Sequence, residues 1–292
     1  MQLHKEGTLN SLGKSLAPPL SRIVCSALLY TPSRMIDAYL NFLLGKGSGT
    51  GWGLYEEVHE AVSRIRRTQP VVFDIGANIG SWSKVLLSEV PDANVFMFEP
   101  AAGCREVIES VPELATAKLI PCAVGENCGK ASLHFSNATD GSASLHERAD
   151  TFFSDRQYSV TEVEVVTIDD VIEGENLDFV DLVKMDIEGH EPFALRGAQR
   201  SLAARSIGVL AFEFGTGNIN SRTFFREIWD ILAPGFHIWR ITPGGRPILI
   251  DEYYEDLEYF RGVSNYIAEL REHPFASNAT RVPYGANTRG NG

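Results

Sequence analysis

Val71-Val72-Phe73-Asp74-Ile75-Gly76-Ala77-Asn78-Ile79-Gly80 is the stretch on which the fold turns. Val71-Val72-Phe73 reads as a short strand buried on both faces, ending at Asp74. A glycine-bearing turn follows, and Ser81 to Ser88 is compatible with a helix. Gly76 lets the chain turn sharply after the strand, and Gly80 allows the next helix to come close. Asn78 stands where a third glycine would be expected, and asparagine tolerates left-handed backbone.

Nineteen residues beyond Gly80, Glu99 ends the next hydrophobic strand, Asn94 to Phe98, and Pro100 follows it. A carboxylate there can accept hydrogen bonds from both hydroxyls of a ribose. Together the turn and the strand-end acid point to a nucleotide-type ligand. The residues alone leave its identity split. A nicotinamide dinucleotide uses the same two features, but its Gly-x-Gly-x-x-Gly array is missing, as is a Gly-x-x-x-x-Gly-Lys-Ser/Thr phosphate loop. Asp74 suits a cationic group, such as the amino group of a methionine moiety, better than a diphosphate. Ala123 and Val124, after the strand candidate Lys118 to Cys122, are positioned to pack on an adenine edge. Asp140, Gly141, Ser142 and Ser144 can supply polar contacts from an insertion or form a plain loop.

The second dense stretch is Asp181-Leu-Val-Lys-Met-Asp-Ile-Glu-Gly-His-Glu191. Open α/β sheets place ligands at the carboxyl ends of their strands. Lys184 and Asp186 share one face of this strand by the period of two. Asp186 and Glu188 emerge at its end, Gly189 permits a turn close to a ligand, and Glu191 with Pro192 starts the next helix. Asp186, Glu188 or His190 can remove a proton from an acceptor, and Lys184 can steady the site. Glu213 ends the following strand, Gly208 to Phe214, and is a substrate-contact candidate. Asp186, Glu188 and Glu213 offer oxygens to a divalent cation, yet nothing in the spacing demands one, and no metal is assigned.

Outward from these two motifs, strands alternate with helices to about residue 232, which predicts a mostly parallel sheet covered on both faces. Phe236 to Ile241 and Pro247 to Ile250 are expected to pair as an antiparallel hairpin across Thr242-Pro243-Gly244-Gly245. Residues 1–67 read as a helical extension, residues 68–270 as the main domain and residues 271–292 as a polar tail. Within the extension, Pro18-Pro19 is expected to break any early helix. Thr31-Pro32-Ser33 opens an amphipathic helix through Met35, Ile36, Tyr39, Leu40 and Leu43. Gly45 to Gly53, with five glycines in nine residues, reads as a flexible join. Trp52 and Tyr55 could cover the site from this side, with core packing as the plainer role.

The 292 residues, 44% hydrophobic and 22% charged, suit a large globular domain with an appendage. A net charge of −12 argues against a general nucleic-acid binder. Residues 1–67 nevertheless hold eight Lys or Arg against five acids. That basic front end can meet an anionic surface or form a solvated appendage, and its helices could join copies of the chain as a homo-oligomer. Cys25, Cys104, Cys122 and Cys128 form no Cys-x-x-Cys pair and read as reduced thiols. With neither a signal pattern nor a transmembrane segment evident, a cytoplasmic location is expected.

The combination of Asp74-Ile-Gly-Ala-Asn-Ile-Gly80, Phe98-Glu99-Pro100, and Asp181 to Glu191 followed by Leu195-Arg196-Gly197-Ala198 resembles the FkbM family of S-adenosylmethionine-dependent methyltransferases, over roughly residues 68–268. The resemblance implies a class I methyltransferase: an α/β, doubly wound, seven-stranded, Rossmann-like sheet with the hairpin last. It implies that Asp74, Gly76, Ala77, Asn78 and Gly80 cradle the methionine part of S-adenosylmethionine, and that Glu99 with Pro100 holds the ribose. Ala123, Val124 and Asp186 complete the expected cofactor set. It further implies methyl transfer to oxygen of a small-molecule acceptor, a sugar or secondary metabolite. The alternatives are a non-catalytic S-adenosylmethionine-binding scaffold and a nicotinamide-dependent oxidoreductase.

Overall fold

A computed structural model describes residues 11–49, 54–148 and 157–275, with side chains from residue 15 onward. Trp52 and residues 276–292 of the expected tail lie outside the described residues. Three helices come first: α1 (Ser11–Val24), α2 (Tyr30–Leu43) and α3 (Leu54–Val62). Alternating elements follow: β1 (Val71–Ile75), α4 (Ser81–Glu89), β2 (Asn94–Phe98), α5 (Ala102–Glu109), β3 (Lys118–Ile120) and β4 (Ala123–Val124). Next are β5 (Gly129–Phe135), β6 (Ser159–Val166), α6 (Ile168–Gly174), β7 (Val180–Met185), α7 (Glu191–Arg196) and α8 (Gln199–Ala203). The chain continues through β8 (Ile207–Gly215), α9 (Gly217–Ser221), α10 (Phe225–Leu232), β9 (Phe236–Arg240), β10 (Ile248–Ile250) and β11 (Val263–Leu270).

The main sheet has eight strands in the order β10-β9-β11-β8-β7-β1-β2-β3. Strands β3, β2, β1, β7 and β8 run parallel, and β11, β9 and β10 join antiparallel. The hairpin of β9 and β10 forms, but it is not last. β11 returns between β8 and β9, and β10 is left as an eighth, edge strand. β11 is buried along nearly its whole length, so it belongs in the sheet interior. Polar insertion strands build a separate sheet, β4-β6-β5.

The period of two divides the core. Phe73, Val183, Leu210 and Phe212 fill one face, while Val72, Leu182, Val209 and Ala211 fill the other. Asp74 and Lys184, in register on neighbouring strands, fall on the second face. Helix α3 is part of that face: Val58 and Ala61 are wholly buried in it, so residues 54–62 are core rather than appendage. From β1 the chain passes to β2 on one side, and β7 pairs on the other. The carboxyl ends of β1, β2 and β7 therefore flank a topological switch point, where a crevice opens.

Two local expectations are corrected. α1 runs through Pro18 and Pro19 without a break. Proline's fixed φ suits a helix, and along this exposed helix water can reach carbonyls that lose a donor. The glycines at 45–49 are not a loose join. A Cβ on Gly45 or Gly47 would stand 2.1 and 1.9 Å from the carbonyl oxygens of Ile241 and Arg261. Those glycines let backbone dock on backbone, and Gly49 N–H donates to Val263 O at 2.8 Å.

Candidate active site

At the switch point, Gly76 and Asn78 turn with φ of +74° and +50°. Asn78 tolerates this backbone because its own amide oxygen accepts from Ile79 N–H at 2.8 Å. The turn is fixed by Glu99, whose Oε2 accepts from Asn78 N–H at 2.8 Å and Oε1 from Ala101 N–H at 2.7 Å. Burial pushes the Glu99 carboxyl above the ordinary carboxylate range, against the pull of those two N–H groups. Each carboxylate oxygen keeps a second lone pair toward the crevice.

The crevice is partly open to solvent, with a free cavity volume of about 60 Å³. Gly76, Asn78, Glu99, Pro100, Ala123, Val124, Asp186, Glu188 and His190 line it, as do Asp140, Gly141 and Ser144. Phe98, Val124, Leu133 and Leu145 provide an apolar wall. Among the described residues, four carboxylates line this space, from Glu99, Asp140, Asp186 and Glu188, and no Lys or Arg is in the lining.

Other expected residues lie beneath the wall. Asp74 is wholly buried, with Ser83 Oγ donating to its Oδ2 at 2.6 Å and Lys184 Nζ 3.0 Å from its Oδ1. Lys184 also donates to Gly76 O at 2.9 Å and stands 3.9 Å from Asp186. Burial opposes the charge of Lys184, but Asp74 and Asp186 outweigh it and hold its pKa above the usual value. Lys184 therefore ties the glycine turn to the end of β7 from below and does not face the crevice. Ala77 and Gly80 are also behind the turn, and a Cβ on Gly80 would meet Leu114 at 2.4 Å. Period-two alternation explains why Asp74 and Lys184 point away while the loops after them reach the crevice.

Asp186 stands between the crevice and a second group of acids. Glu57, from α3, accepts from Trp82 Nε1 at 3.1 Å and Asn265 Nδ2 at 2.9 Å. Burial raises its carboxyl to about 7, against Lys184. Glu213 lies off the crevice wall; burial, then Asp186 and Glu57, raise it well above the usual carboxylate range. Glu191 is fully buried and accepts from Ile187 N–H at 3.0 Å and Gly189 N–H at 3.4 Å, which folds the loop after β7 onto itself. Among the described residues, no three His, Cys, Asp or Glu groups converge as metal ligands.

The insertion supplies two partners that sequence reasoning missed, Arg148 and His146, beside the expected Asp140 and Ser144. Arg148 pairs with Glu188, and Ser144 Oγ donates to Glu188 O at 3.2 Å. Burial raises Glu188 to about 7, opposed by Arg148 and assisted by Asp186. His146 Nε2 and His190 Nδ1 share a hydrogen bond of 2.9 Å, and the His190 ring stacks on Phe193 at 4.5 Å. Burial, then His146 and Arg196, push His190 down to about 3, so this imidazole is neutral at neutral pH. Asp140 organises the loop. Burial opposes its charge, yet hydrogen bonds from Ser142 and Ser136 hold it at about 2. Arg148 and His146 carried no signal, because their partners are forty or more residues away. Glu57 did carry one: it interrupts the apolar helical stripe of Leu54, Val58, Ala61 and Ile65.

The family model described as the methyltransferase FkbM domain matches residues 74–238. The chain is 30% identical over 161 residues to the 2-O-methyltransferase NoeI of Sinorhizobium fredii, covering 50% of this chain and 65% of that protein. It is 24% identical over 147 residues to the hexuronic acid methyltransferase AglP of Haloferax volcanii, covering 50% and 56%. Matches to these curated relatives thus span less than two thirds of their length. A solved methyltransferase FkbM structure from Methylobacillus flagellatus KT aligns at 19% identity and a TM-score of 0.42, over 69% of this chain and 44% of that one.

Proposed function

The chain belongs to the FkbM methyltransferase family, and we propose that it transfers a methyl group from S-adenosylmethionine to a hydroxyl of a small molecule. The observation that carries this reading is the charge of the crevice: among the described residues, its lining holds four carboxylates and no Lys or Arg. S-adenosylmethionine carries a sulfonium and an ammonium, which such a lining attracts, whereas a dinucleotide diphosphate is repelled. Gly76 and Asn78 are suited to the methionine part, Glu99 to the ribose hydroxyls, and the apolar wall around Val124 to the adenine. The relatives named 2-O-methyltransferase and hexuronic acid methyltransferase support oxygen as the acceptor atom and a sugar as its class.

When bound, the cofactor supplies a methyl group already activated by its sulfonium. The protein has to align the acceptor oxygen and remove its proton. Glu188 is our choice of base: it lines the crevice, and its carboxyl titrates near 7, where a base is both available and strong enough. Asp186 orients the reacting groups, and Lys184 positions Asp186 and the glycine turn. His190 stays neutral and shapes the wall. Glu213, raised by burial and then by its acidic neighbours, lies off the crevice wall and backs Asp186 rather than touching the acceptor. A cytoplasmic setting fits the unpaired thiols of Cys25, Cys104, Cys122 and Cys128. The net charge of −12 favours a small acceptor over nucleic acid.

The test is an acceptor screen with methyl-labelled S-adenosylmethionine, with binding followed by calorimetry. Label on the oxygen of a sugar or similar alcohol is expected. Transfer to nitrogen acceptors alone, or binding of pyridine nucleotide without S-adenosylmethionine, overturns the reading.

A further inference from the structure

Helices α1 and α2 present a surface that the rest of the chain does not cover. From Ser15 to Leu40 every residue except Ser26 and Ser33 is exposed. The apolar side chains fall at helical spacing: Leu16, Leu20 and Ile23 on α1, and Ile36, Tyr39 and Leu40 on α2. Tyr39 is 63% exposed and Ile36 63%. Contiguous apolar surface of this kind marks a contact face.

Charge selects the occupant. Residues 15–44 carry Arg22 and Arg34 against a single acid, Asp37, in a chain of net charge −12. Asp37 is already paired with Arg261 from the main domain. By helical spacing each helix then has an apolar side and a polar side, the polar side carrying Arg22 on α1 and Arg34 on α2. An anionic lipid surface accepts both features: headgroups take the cations, and the acyl boundary takes the Leu and Ile side chains. Among the described residues no helix is long and apolar enough to cross a membrane, so the helices would lie in the surface.

We propose that α1 and α2 dock the protein on an anionic lipid surface. The glycine segment at 45–49 fixes where the main domain then sits. It joins α2 to the carboxyl end of β8 and the start of β11, where Asn265 pairs with Glu213. The docked face is therefore tethered at the end of the sheet that carries the crevice.

Flotation of the full chain with vesicles of phosphatidylcholine alone, and of phosphatidylcholine with phosphatidylglycerol, tests this directly. Binding to the anionic vesicles, weakened by salt, is expected. Arg22→Gln and Arg34→Gln should each lower that affinity about fivefold, and Ile36→Asp with Leu40→Asp should abolish it. Thermal unfolding of each variant checks that the sheet is intact. Equal binding to neutral vesicles overturns the proposal. So does absence of vesicle binding with a dimer, seen by ultracentrifugation, that Ile36→Asp and Leu40→Asp disperse; a second copy is then the occupant. Neither readout depends on methyl transfer.

Discussion

Gly76 lies so close to Asp186 that a Cβ on it would stand 2.0 Å from the Asp186 carbonyl oxygen. The two loops that define the site, one after β1 and one after β7, are pressed together there, and Asp186 N–H donates to Ile75 O at 3.1 Å. Gly76→Ala must shift one loop and also strain a φ of +74°. We expect about 1–3 kcal/mol of destabilisation and loss of S-adenosylmethionine binding in calorimetry. Unchanged binding would show that this contact does not shape the site.

Glu99 gives a test of cofactor binding, because it fixes the turn and is the residue proposed to hold the ribose. Glu99→Gln removes a charged acceptor worth roughly 1.5–3 kcal/mol. Affinity for S-adenosylmethionine should fall about 10- to 100-fold, with some loss of melting temperature because one of the two backbone N–H groups, of Asn78 or Ala101, loses its acceptor. An affinity equal to that of the parent protein would remove Glu99 from the ribose contact.

The Lys184 and Asp74 pair is buried, so its parts should not behave independently. Lys184→Met leaves the Asp74 carboxylate without its counter-ion and should cost about 3–5 kcal/mol. Adding Asp74→Asn to that variant should restore part of the loss, because the stranded charge is gone. Denaturant unfolding of both single variants and the double variant measures the coupling, and simple additivity would refute it.

Glu191 makes stability depend on pH in an uncommon direction. Burial raises its carboxyl from 4.5 to about 8, opposed by N–H groups such as that of Ile187. Between those values the folded protein holds a proton that the unfolded chain has released. Its contribution to stability is thus full below about 4.5 and is lost as pH rises through about 8. Glu191→Gln keeps an amide oxygen for Ile187 and Gly189 and does not titrate. Its melting temperature should fall less than that of the parent protein over this range, and identical pH profiles would contradict the assignment.

Glu188 predicts a rate profile. With a carboxyl near 7, kcat should rise with pH as Glu188 ionises and level off above that value. Glu188→Gln should lower kcat by about 10²- to 10⁴-fold and flatten this limb, while S-adenosylmethionine still binds. A rise in rate near pH 7 that persists in the variant would move the base elsewhere.

The sequence by itself determined a good deal. Short apolar runs ending in Asp74, Glu99 and Asp186 give a parallel sheet with ligand chemistry at its carboxyl edge, because strand length, alternation and turn glycines are local properties. The acids at 186 and 188 and the turn at 76–80 were legible for the same reason. The register that turns Asp74 and Lys184 under the wall, rather than into the crevice, was not. It depends on how strands over one hundred residues apart align.

Only the tertiary structure decided the rest. It inserted β11 between β8 and β9, drew Glu57 from an N-terminal helix into the acids behind Asp186, and set Arg148 and His146 against Glu188 and His190. It also made a docked segment of the glycines at 45–49, which read locally as a join. Each of these is a contact between residues far apart in the chain. Its energy comes from burial, charge pairing and close backbone approach, and none of these is written in the spacing of neighbouring residues.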